Sequence, residues 1–328
     1  MHGWLCEDPS GADRLRWSAL DLGQPSSEQV LVEVRAASLN FPDLLTVENK
    51  YQIKPPLPFV PGAEYSGVVQ AVGEGVKHLQ PGLQVAVIGA AGGFATHALA
   101  MASQCLPLPS DMPFEDAAAF AFTYGTAHHA LIDRATLRAG ETVLILGAAG
   151  GVGTSAIQVA KAAGANVVAG VSSDDKAAFC RQLGADKTLN YAAEDLRERI
   201  KTLTGGRGPD VVFDPVGGRL AEPVFRSMAW RGRYLVVGFA AGGIPALAWN
   251  LALLKGASVV GVFWGDFVRR EPQAFERSLG ELMDWYRRGL VKPVIDRVLP
   301  MSEVPRAYAL MAERAVKGKL VMSQAVKA

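Results

Sequence analysis

The sequence predicts an α/β protein in which a doubly wound parallel sheet is combined with a smaller, β-rich domain. Three observations lead to this prediction. An apolar, β-branched run at 142–146 is followed at once by a glycine cluster and then by a helical segment that ends near Gly164. From about residue 123 onward, short apolar strands alternate with helical segments, which is the order of a parallel sheet. Before that point, valine-rich runs are separated by glycine turns, which is typical of a small twisted barrel.

Length and composition are those of a globular enzyme with about two domains. The 328 residues are 49% hydrophobic and 20% charged, and the net charge of +1 comes without a basic run, so neither a nucleic-acid surface nor a membrane surface is expected. The longest apolar stretches are too short to span a membrane, and the acids Glu7 and Asp8 argue against a signal peptide. The three cysteines are scattered, which argues against a disulfide framework and a structural zinc and favours a reducing, cytoplasmic setting.

The first predicted domain covers residues 1–124 and is completed by residues 266–328. Its clearest strand is the run 30–35, where valines alternate with other residues at a period of two. The carboxyl-terminal part is expected to supply amphipathic helices at 275–286 and 303–311 and short strands at 294–299 and 319–322.

The second predicted domain covers residues 125–265 and contains the doubly wound sheet. A helix at 174–183 is expected to be capped by Ser172 or Ser173. Further helices are expected at 194–203 and near 220–228. The expected strands are 142–146, 166–171, 187–189, 210–214, 233–237 and 257–262.

The glycine cluster after the first strand of this sheet predicts a dinucleotide site. Glycine at 150 lets the backbone approach a pyrophosphate, and glycine at 153 lets the helix pack closely on the strand. The start of the helix then receives the negative charge. The pattern departs from G-x-G-x-x-G at its first position, which is Ala148. The predicted cofactor-binding residues of this turn are Ala149, Gly150, Gly151, Val152 and Gly153.

The end of the second strand of this sheet bears on which nicotinamide cofactor is used. Enzymes that prefer NAD usually place an acid there, whereas this chain has Val171 followed by Ser172 and Ser173. Lys176, one helical turn further on, is long enough to reach a 2′-phosphate, so NADPH is the predicted cofactor. A solvated helix lysine is the alternative interpretation of Lys176.

Six segments together resemble the medium-chain dehydrogenase/reductases, and within them the zinc-free quinone oxidoreductase, or zeta-crystallin-like, branch. They are ASLNFPDLL (37–45), PFVPGAEYSGVV (58–69), AGGVG (149–153), LGAD (183–186), FDPVGG (213–218) and RGRYLVVGF (231–239). The resemblance implies a GroES-like β-barrel catalytic domain, a Rossmann domain and a cleft between them. It also implies a homodimer formed through the strand at 257–262.

The positions that bind zinc in the metal-dependent relatives lack zinc ligands here. Asn40 stands where those enzymes have a cysteine, three residues before an aspartate that matches Asp43. Ala63 replaces the histidine between Gly62 and Glu64, and the third ligand would fall near Ala118. No metal site is therefore predicted. His128 and His129, expected at the start of a helix, are interpreted as structural.

The resemblance also assigns roles to single residues. Around the 2′-phosphate it adds Tyr191 and Arg314 to Ser172 and Lys176, and it places Asn40 and Thr126 near the nicotinamide. The predicted catalytic residues are Asn40 and Tyr51, because the phenol of Tyr51 is able to donate a proton to a substrate carbonyl. A packing role for this loop tyrosine is the alternative. Phe239, Phe263 and Trp264 are expected to wall the pocket, with strand-end core packing as the alternative.

The predicted activity is hydride transfer from NADPH to a quinone, without a metal. The first alternative is reduction of the double bond of an enone, either an enoyl-CoA or a 2-alkenal. The second is a non-catalytic NADPH-binding or RNA-binding protein similar to some zeta-crystallin relatives, and the absence of basic clusters argues against it.

Overall fold

The computed structural model describes residues 1–326 and divides the chain into two compact units. The first contains Met1–Phe122 and the chain from Ile295 onward, and the second contains Thr123–Val294. The domain boundaries predicted from the sequence had assigned residues 266–294 to the first domain instead. They belong to the second because Ser278 and Glu281, on the amphipathic helix of this segment, bond the His128 ring.

The described residues form fifteen strands. They are β1 His2–Leu5, β2 Arg16–Ala19, β3 Gln29–Leu39, β4 Glu64–Val72, β5 Gln84–Ile88, β6 His97–Met101, β7 Cys105–Pro107, β8 Thr142–Leu146, β9 Asn166–Val171, β10 Lys187–Asn190, β11 Val211–Asp214, β12 Arg233–Val236, β13 Ser258–Gly261, β14 Ile295–Pro300 and β15 Lys319–Ser323.

The same residues form eleven α-helices and one π-helical segment, His129–Arg134. The α-helices are α1 Phe41–Val47, α2 Phe114–Ala118, α3 Ala121–His128, α4 Gly151–Ala162, α5 Asp174–Gln182, α6 Leu196–Leu203, α7 Ala221–Ser227, α8 Asn250–Lys255, α9 Trp264–Arg270, α10 Pro272–Arg287 and α11 Val304–Ala312. Within residues 1–326, none of them combines the length and apolar character that crossing a membrane requires.

The second unit is built on a six-stranded, fully parallel sheet in the order β10-β9-β8-β11-β12-β13. The chain moves outward from β8 to β10 and then continues on the other side of β8 from β11 to β13. The order therefore reverses between β8 and β11, which makes the carboxyl ends of these strands the expected ligand-binding edge. The central strand β8 is apolar, and Val143 to Leu146 are buried, as a strand covered on both faces requires.

The first unit is built on a seven-stranded sheet in which β3 is the central element. The strands follow the order β14-β15-β3-β4-β5-β7, and β6 also pairs with β3. β3 is eleven residues long, and its register with β4 shifts twice, at Leu31/Val32 and at Val34/Ala36. Such bulges bend a strand, so β3 is able to pair with three neighbours around one core.

Candidate functional site

The turn between β8 and α4 has the geometry that close helix packing requires. Gly147 has a φ of 59°, in the left-handed region that favours glycine. A Cβ added at Gly153 would lie 2.4 Å from the carbonyl oxygen of Gly147, so only glycine fits there. A Cβ at Gly150 would meet only that same oxygen, at 3.4 Å. Alanine is accommodated at 148 because the positive φ falls one residue earlier, at Gly147.

Within residues 1–326, α4 begins after the N-cap residue Gly150 without a side-chain cap hydrogen bond. The first N–H groups of a helix have no partner within the helix, and the helix dipole is positive at this end. A pyrophosphate fits both properties, since it accepts hydrogen bonds and carries negative charge. The described turn therefore suits the phosphates of a dinucleotide.

The end of β9 brings together three of the residues predicted to hold a 2′-phosphate. Ser172 follows the buried Val171, and the N–H of Tyr191 donates to the Val171 carbonyl at 2.9 Å. Of the two predicted cap residues, Ser173 is the N-cap of α5, and its hydroxyl accepts from the Lys176 N–H at 3.3 Å. Ser172, Lys176 and Tyr191 thus lie at one edge of the sheet. Arg314 belongs to the first unit, where it follows α11 and is exposed.

The aromatic residues expected around the pocket differ in burial. Phe239 follows β12 and lies beside Gly217, where a Cβ would meet its ring at 2.9 Å. Phe263 follows β13 and is 44% exposed. Trp264 is buried against Gly125, and its ring makes an edge contact with Phe275. Trp264 therefore fits the core interpretation, and Phe239 and Phe263 remain available to a ligand.

A cluster of buried polar side chains surrounds Asn40 in the first unit. Asn40 precedes α1, Glu64 begins β4 and Lys319 begins β15, and all three are less than 5% exposed. The Lys319 ammonium donates to Asn40 Oδ1 at 2.5 Å and to Glu64 Oε2 at 3.2 Å. Asn40 Nδ2 donates to the same Glu64 oxygen at 3.1 Å. Because a cation lies at one end of the amide and a carboxylate at the other, the orientation of the Asn40 side chain is fixed.

Asp43 and Glu64 are held in this cluster by backbone and hydroxyl donors. Asp43 accepts from the N–H groups of Asn40 and Ala63 at 2.8 and 3.0 Å. Glu64 accepts from the Ser38 hydroxyl and from the Phe122 N–H, both at 2.8 Å. Every carboxylate oxygen of the pair therefore has a partner, as buried charges require.

Burial dominates the electrostatics of the cluster. It raises the pKa of Asp43 to about 6, although the two backbone donors and the charge of Lys319 act in the opposite direction. It also lowers the pKa of Lys319, and the nearby Glu64 offsets part of that change. The charge of Lys319 therefore favours the ionised form of Asp43, and the charges of Glu64 and Asp43 favour the protonated form of Lys319.

Tyr51 lies on the loop after α1 and is half-buried. Burial, and then the negative charge of Asp43, raise the pKa of its phenol above the usual value. The phenol therefore keeps its proton at neutral pH, which suits a hydrogen-bond donor. The structure places Tyr51 and Asn40 in the same unit, where Asp43 accepts a hydrogen bond from the Asn40 N–H and its charge acts on the Tyr51 phenol.

Three positions matched zinc ligands of metal-dependent relatives in the sequence analysis. In this chain they carry groups that cannot bind zinc well. Asn40 uses its amide within the cluster, Ala63 is buried, and Ala118 is completely buried in α2. Across residues 1–326, no group of three or more His, Cys, Asp or Glu side chains is arranged to hold a metal ion.

The two adjacent histidines hold structural contacts. His128 was predicted at a helix start, but it ends α3 because the helix begins at Ala121. Its ring contacts Glu281 Oε2 at 2.9 Å and Ser278 Oγ at 2.8 Å, both on α10. His129 stacks on Phe267 with ring centroids 4.0 Å apart. Burial lowers the pKa of both rings, which suits neutral groups that join helices.

The sequence did not reveal Lys319 as a site residue. Its only signal was a lysine at the start of an otherwise apolar strand, which is common on a surface. Glu64 was recognised only as the neighbour of Ala63. The contact between them joins residues 255 positions apart, so no local pattern contains it.

Comparison with known proteins places both units in one superfamily. Residues 26–110 match the alcohol dehydrogenase GroES-like domain, and residues 151–283 match the zinc-binding dehydrogenase family. The quinone oxidoreductase-like protein 2 of Mus musculus is 35% identical, with 98% of this chain and 96% of that protein covered.

Solved structures agree in fold. The Escherichia coli quinone oxidoreductase complexed with NADPH has a TM-score of 0.90 at 28% identity, covering 98% of this chain and all of that one. The CurK enoyl reductase has a TM-score of 0.88 at 27% identity, covering 98% of each chain. These matches confirm the predicted fold class, a GroES-like domain with a Rossmann-like parallel-sheet domain. The chain belongs to the medium-chain dehydrogenase/reductase superfamily of oxidoreductases, as a quinone oxidoreductase-like member.

Proposed function

We propose that this chain is an NADPH-dependent, zinc-independent reductase that transfers hydride to a quinone. The observation that carries the proposal is the uncapped α4 with its glycine turn, at the point where the strand order of the sheet reverses. The NADPH complex of the similar Escherichia coli quinone oxidoreductase supports the choice of cofactor.

The residues of this chain would bind the cofactor and orient it. The turn formed by Ala149, Gly150, Gly151, Val152 and Gly153 takes the pyrophosphate. Ser172, Ser173, Lys176, Tyr191 and Arg314 take the 2′-phosphate, and Asn40, Thr126, Phe239 and Phe263 contact the nicotinamide end. When bound, the reduced nicotinamide supplies a hydride from C4 of its ring.

Tyr51 is the proposed proton donor to the oxygen on which negative charge develops. The raised pKa of its phenol supports this role. Replacing it as Tyr51→Phe should lower kcat about tenfold or more while the dissociation constant of NADPH stays unchanged. If kcat of the Tyr51→Phe variant were unchanged, Tyr51 would have a packing role and would not be the proton donor.

The preference for NADPH over NADH is tested by Val171→Asp. A carboxylate at the end of β9 would repel a 2′-phosphate and accept a hydrogen bond from a 2′-hydroxyl. The ratio of kcat/KM for NADPH to that for NADH should therefore fall at least about tenfold, which corresponds to roughly 1.4 kcal/mol. Val298→Asp, at an exposed valine of β14, is the matched control. Equal use of both cofactors before and after Val171→Asp would contradict the assignment.

The acceptor is tested by steady-state rates with NADPH and three substrates: an ortho-quinone, crotonyl-CoA and a 2-alkenal. The quinone should give the highest kcat/KM. The main alternative, a double-bond reductase, is supported by the similarity to the CurK enoyl reductase. A rate with crotonyl-CoA that exceeds the quinone rate, and that falls when the CoA thioester is replaced by a simple ester, would favour this alternative.

We further propose that the protein is a homodimer in the cytoplasm. β13 is an edge strand of the six-stranded sheet, and Val259 on it is 41% exposed, with Leu253 and Trp249 of the neighbouring segment about 80% exposed. An apolar edge of this kind favours pairing with a second copy. Light scattering that gave the monomer mass at micromolar concentration would contradict the dimer. Three free, buried cysteines within the described residues support a reducing compartment.

A further inference from the structure

We propose that the second unit carries a second nucleotide site, for a nucleoside polyphosphate, in a groove between α6, α7 and the end of α8. The groove has a volume of about 360 Å³. Five of its lining side chains are cationic, Arg197, Lys201, Arg207, Arg226 and Lys255, and Glu198 is the one acid among them. A concave surface with this excess of positive charge suits a ligand with several adjacent phosphates.

Most of these cations lack a carboxylate partner in the protein. Arg226 bonds Glu222 at 2.7 Å, and Lys255 donates to the Met228 carbonyl at 2.8 Å. For Arg197, Lys201 and Arg207, no ion pair forms within residues 1–326. On α9, by contrast, Arg269 and Arg270 both pair with Asp266 of the same helix.

Two of the cations also repel each other. The pKa of Lys255 is lowered first by burial and then by the positive charge of Arg197. Like charges held together without an acid between them are relieved when an anion binds. This repulsion supports the geometric argument for a phosphate position between α6 and the end of α8.

The groove also offers an aromatic face. Trp230 lines it and is 70% exposed, although tryptophan is usually buried. Its ring lies over Gly256, where a Cβ would approach it to 3.2 Å, so the backbone supports one part of the indole. An exposed indole beside a cationic groove is suited to stack a nucleobase. Stacking and phosphate contacts together point to a nucleotide rather than to a simple anion.

The groove lies at the opposite edge of the sheet from the glycine turn. Arg207, Trp230 and Lys255 come shortly before β11, β12 and β13, so they lie near the amino ends of these strands. The glycine turn follows β8 and lies at the carboxyl ends. The second site is therefore independent of the site proposed for NADPH.

Calorimetric titration of the full chain with ATP and with tripolyphosphate tests the proposal. ATP should bind at one groove site per chain, and the double variant Lys201→Gln/Arg207→Gln should weaken it at least tenfold. The matched control is Arg277→Gln/Arg287→Gln, which removes two exposed cations from α10 and should change affinity less than twofold. ATP should bind at least fivefold more tightly than tripolyphosphate, and Trp230→Leu should abolish that difference.

Four results would overturn the proposal. If the groove variant and the control weakened ATP binding equally, the binding would be nonspecific charge attraction. If ATP and tripolyphosphate bound equally tightly, the groove would be a polyphosphate site without specificity for a nucleotide. Loss of ATP binding in Val171→Asp but not in the groove variant would place ATP at the NADPH turn. Tighter binding of a single-stranded oligonucleotide than of ATP would assign the surface to nucleic acid.

Discussion

At the scale of single residues, the buried ammonium of Lys319 depends most strongly on its neighbours for stability. Taking a charge out of water costs several kcal/mol unless partners replace the water. Here Glu64 supplies the countercharge and Asn40 Oδ1 a second acceptor. The cluster contains Asn40, and Asp43 accepts from the N–H of Ala63. Asn40 and Ala63 are two positions that the sequence resemblance matched to zinc ligands of metal-dependent relatives.

Replacing Lys319 should therefore be costly. The variant Lys319→Met leaves the Glu64 carboxylate buried without a countercharge, and the free energy of unfolding in urea should fall by about 3–5 kcal/mol. Lys54→Met, at an exposed loop lysine, is the control and should stay within about 0.5 kcal/mol of the parent protein. Similar small effects of both substitutions would mean that the cluster does not stabilise the first unit.

Residues differ in how well the sequence predicts them. Ser173, one of the two predicted cap residues, is the N-cap of α5, because capping depends on neighbours within a few positions. The pairing of Lys319 with Glu64 depends on β15 and β4 entering the same sheet. Single-residue roles that arise from such distant contacts have no local signal.

At the scale of elements, the strand, glycine turn and helix from β8 to α4 are the clearest feature of the chain. The helix begins at Gly151, and the restriction at Gly153 is steric, since Gly147 O occupies the space that a Cβ would need. The helix and the phosphate site proposed at its start therefore depend on the same residue.

Two glycine substitutions distinguish the steric restriction at Gly153 from the general effect of alanine on helix propensity. Gly153→Ala should lower the free energy of unfolding and weaken NADPH binding, because α4 must move away from β8. Gly280→Ala lies on α10 with nothing within 4 Å of the added Cβ, and it should stabilise the protein by up to about 1 kcal/mol. Unfolding curves and NADPH titrations of both variants provide the comparison. A Gly153→Ala protein as stable as the parent, with unchanged affinity, would contradict the steric account.

Most strands and helices of the second unit lie within two residues of their predicted bounds, because each combines an apolar run with a clear turn or cap. The assignment of α10 to a unit was less predictable. Its amphipathic pattern predicts a helix but does not identify the surface that covers the apolar face of that helix. That surface includes His128, about 150 positions away in the sequence.

At the scale of the whole molecule, each unit contributes one part of the proposed activity. The second unit carries the glycine turn and four of the predicted 2′-phosphate residues, Ser172, Ser173, Lys176 and Tyr191, and the first carries Asn40, Tyr51 and Arg314. The fold class was predictable because the change from turn-rich strands to alternating strands and helices extends over many residues. The substrate that accepts the hydride was not predictable, since its recognition depends on loops and side chains rather than on the fold.

The most direct test of the account is the loss of NADPH absorbance when chelator-treated protein meets an ortho-quinone. NADH and a reaction without protein are measured alongside. The account predicts rapid, protein-dependent oxidation of NADPH, at least about tenfold faster than that of NADH, with no increase when zinc is added. Equal rates with both cofactors, a requirement for zinc, or no oxidation of NADPH would contradict it.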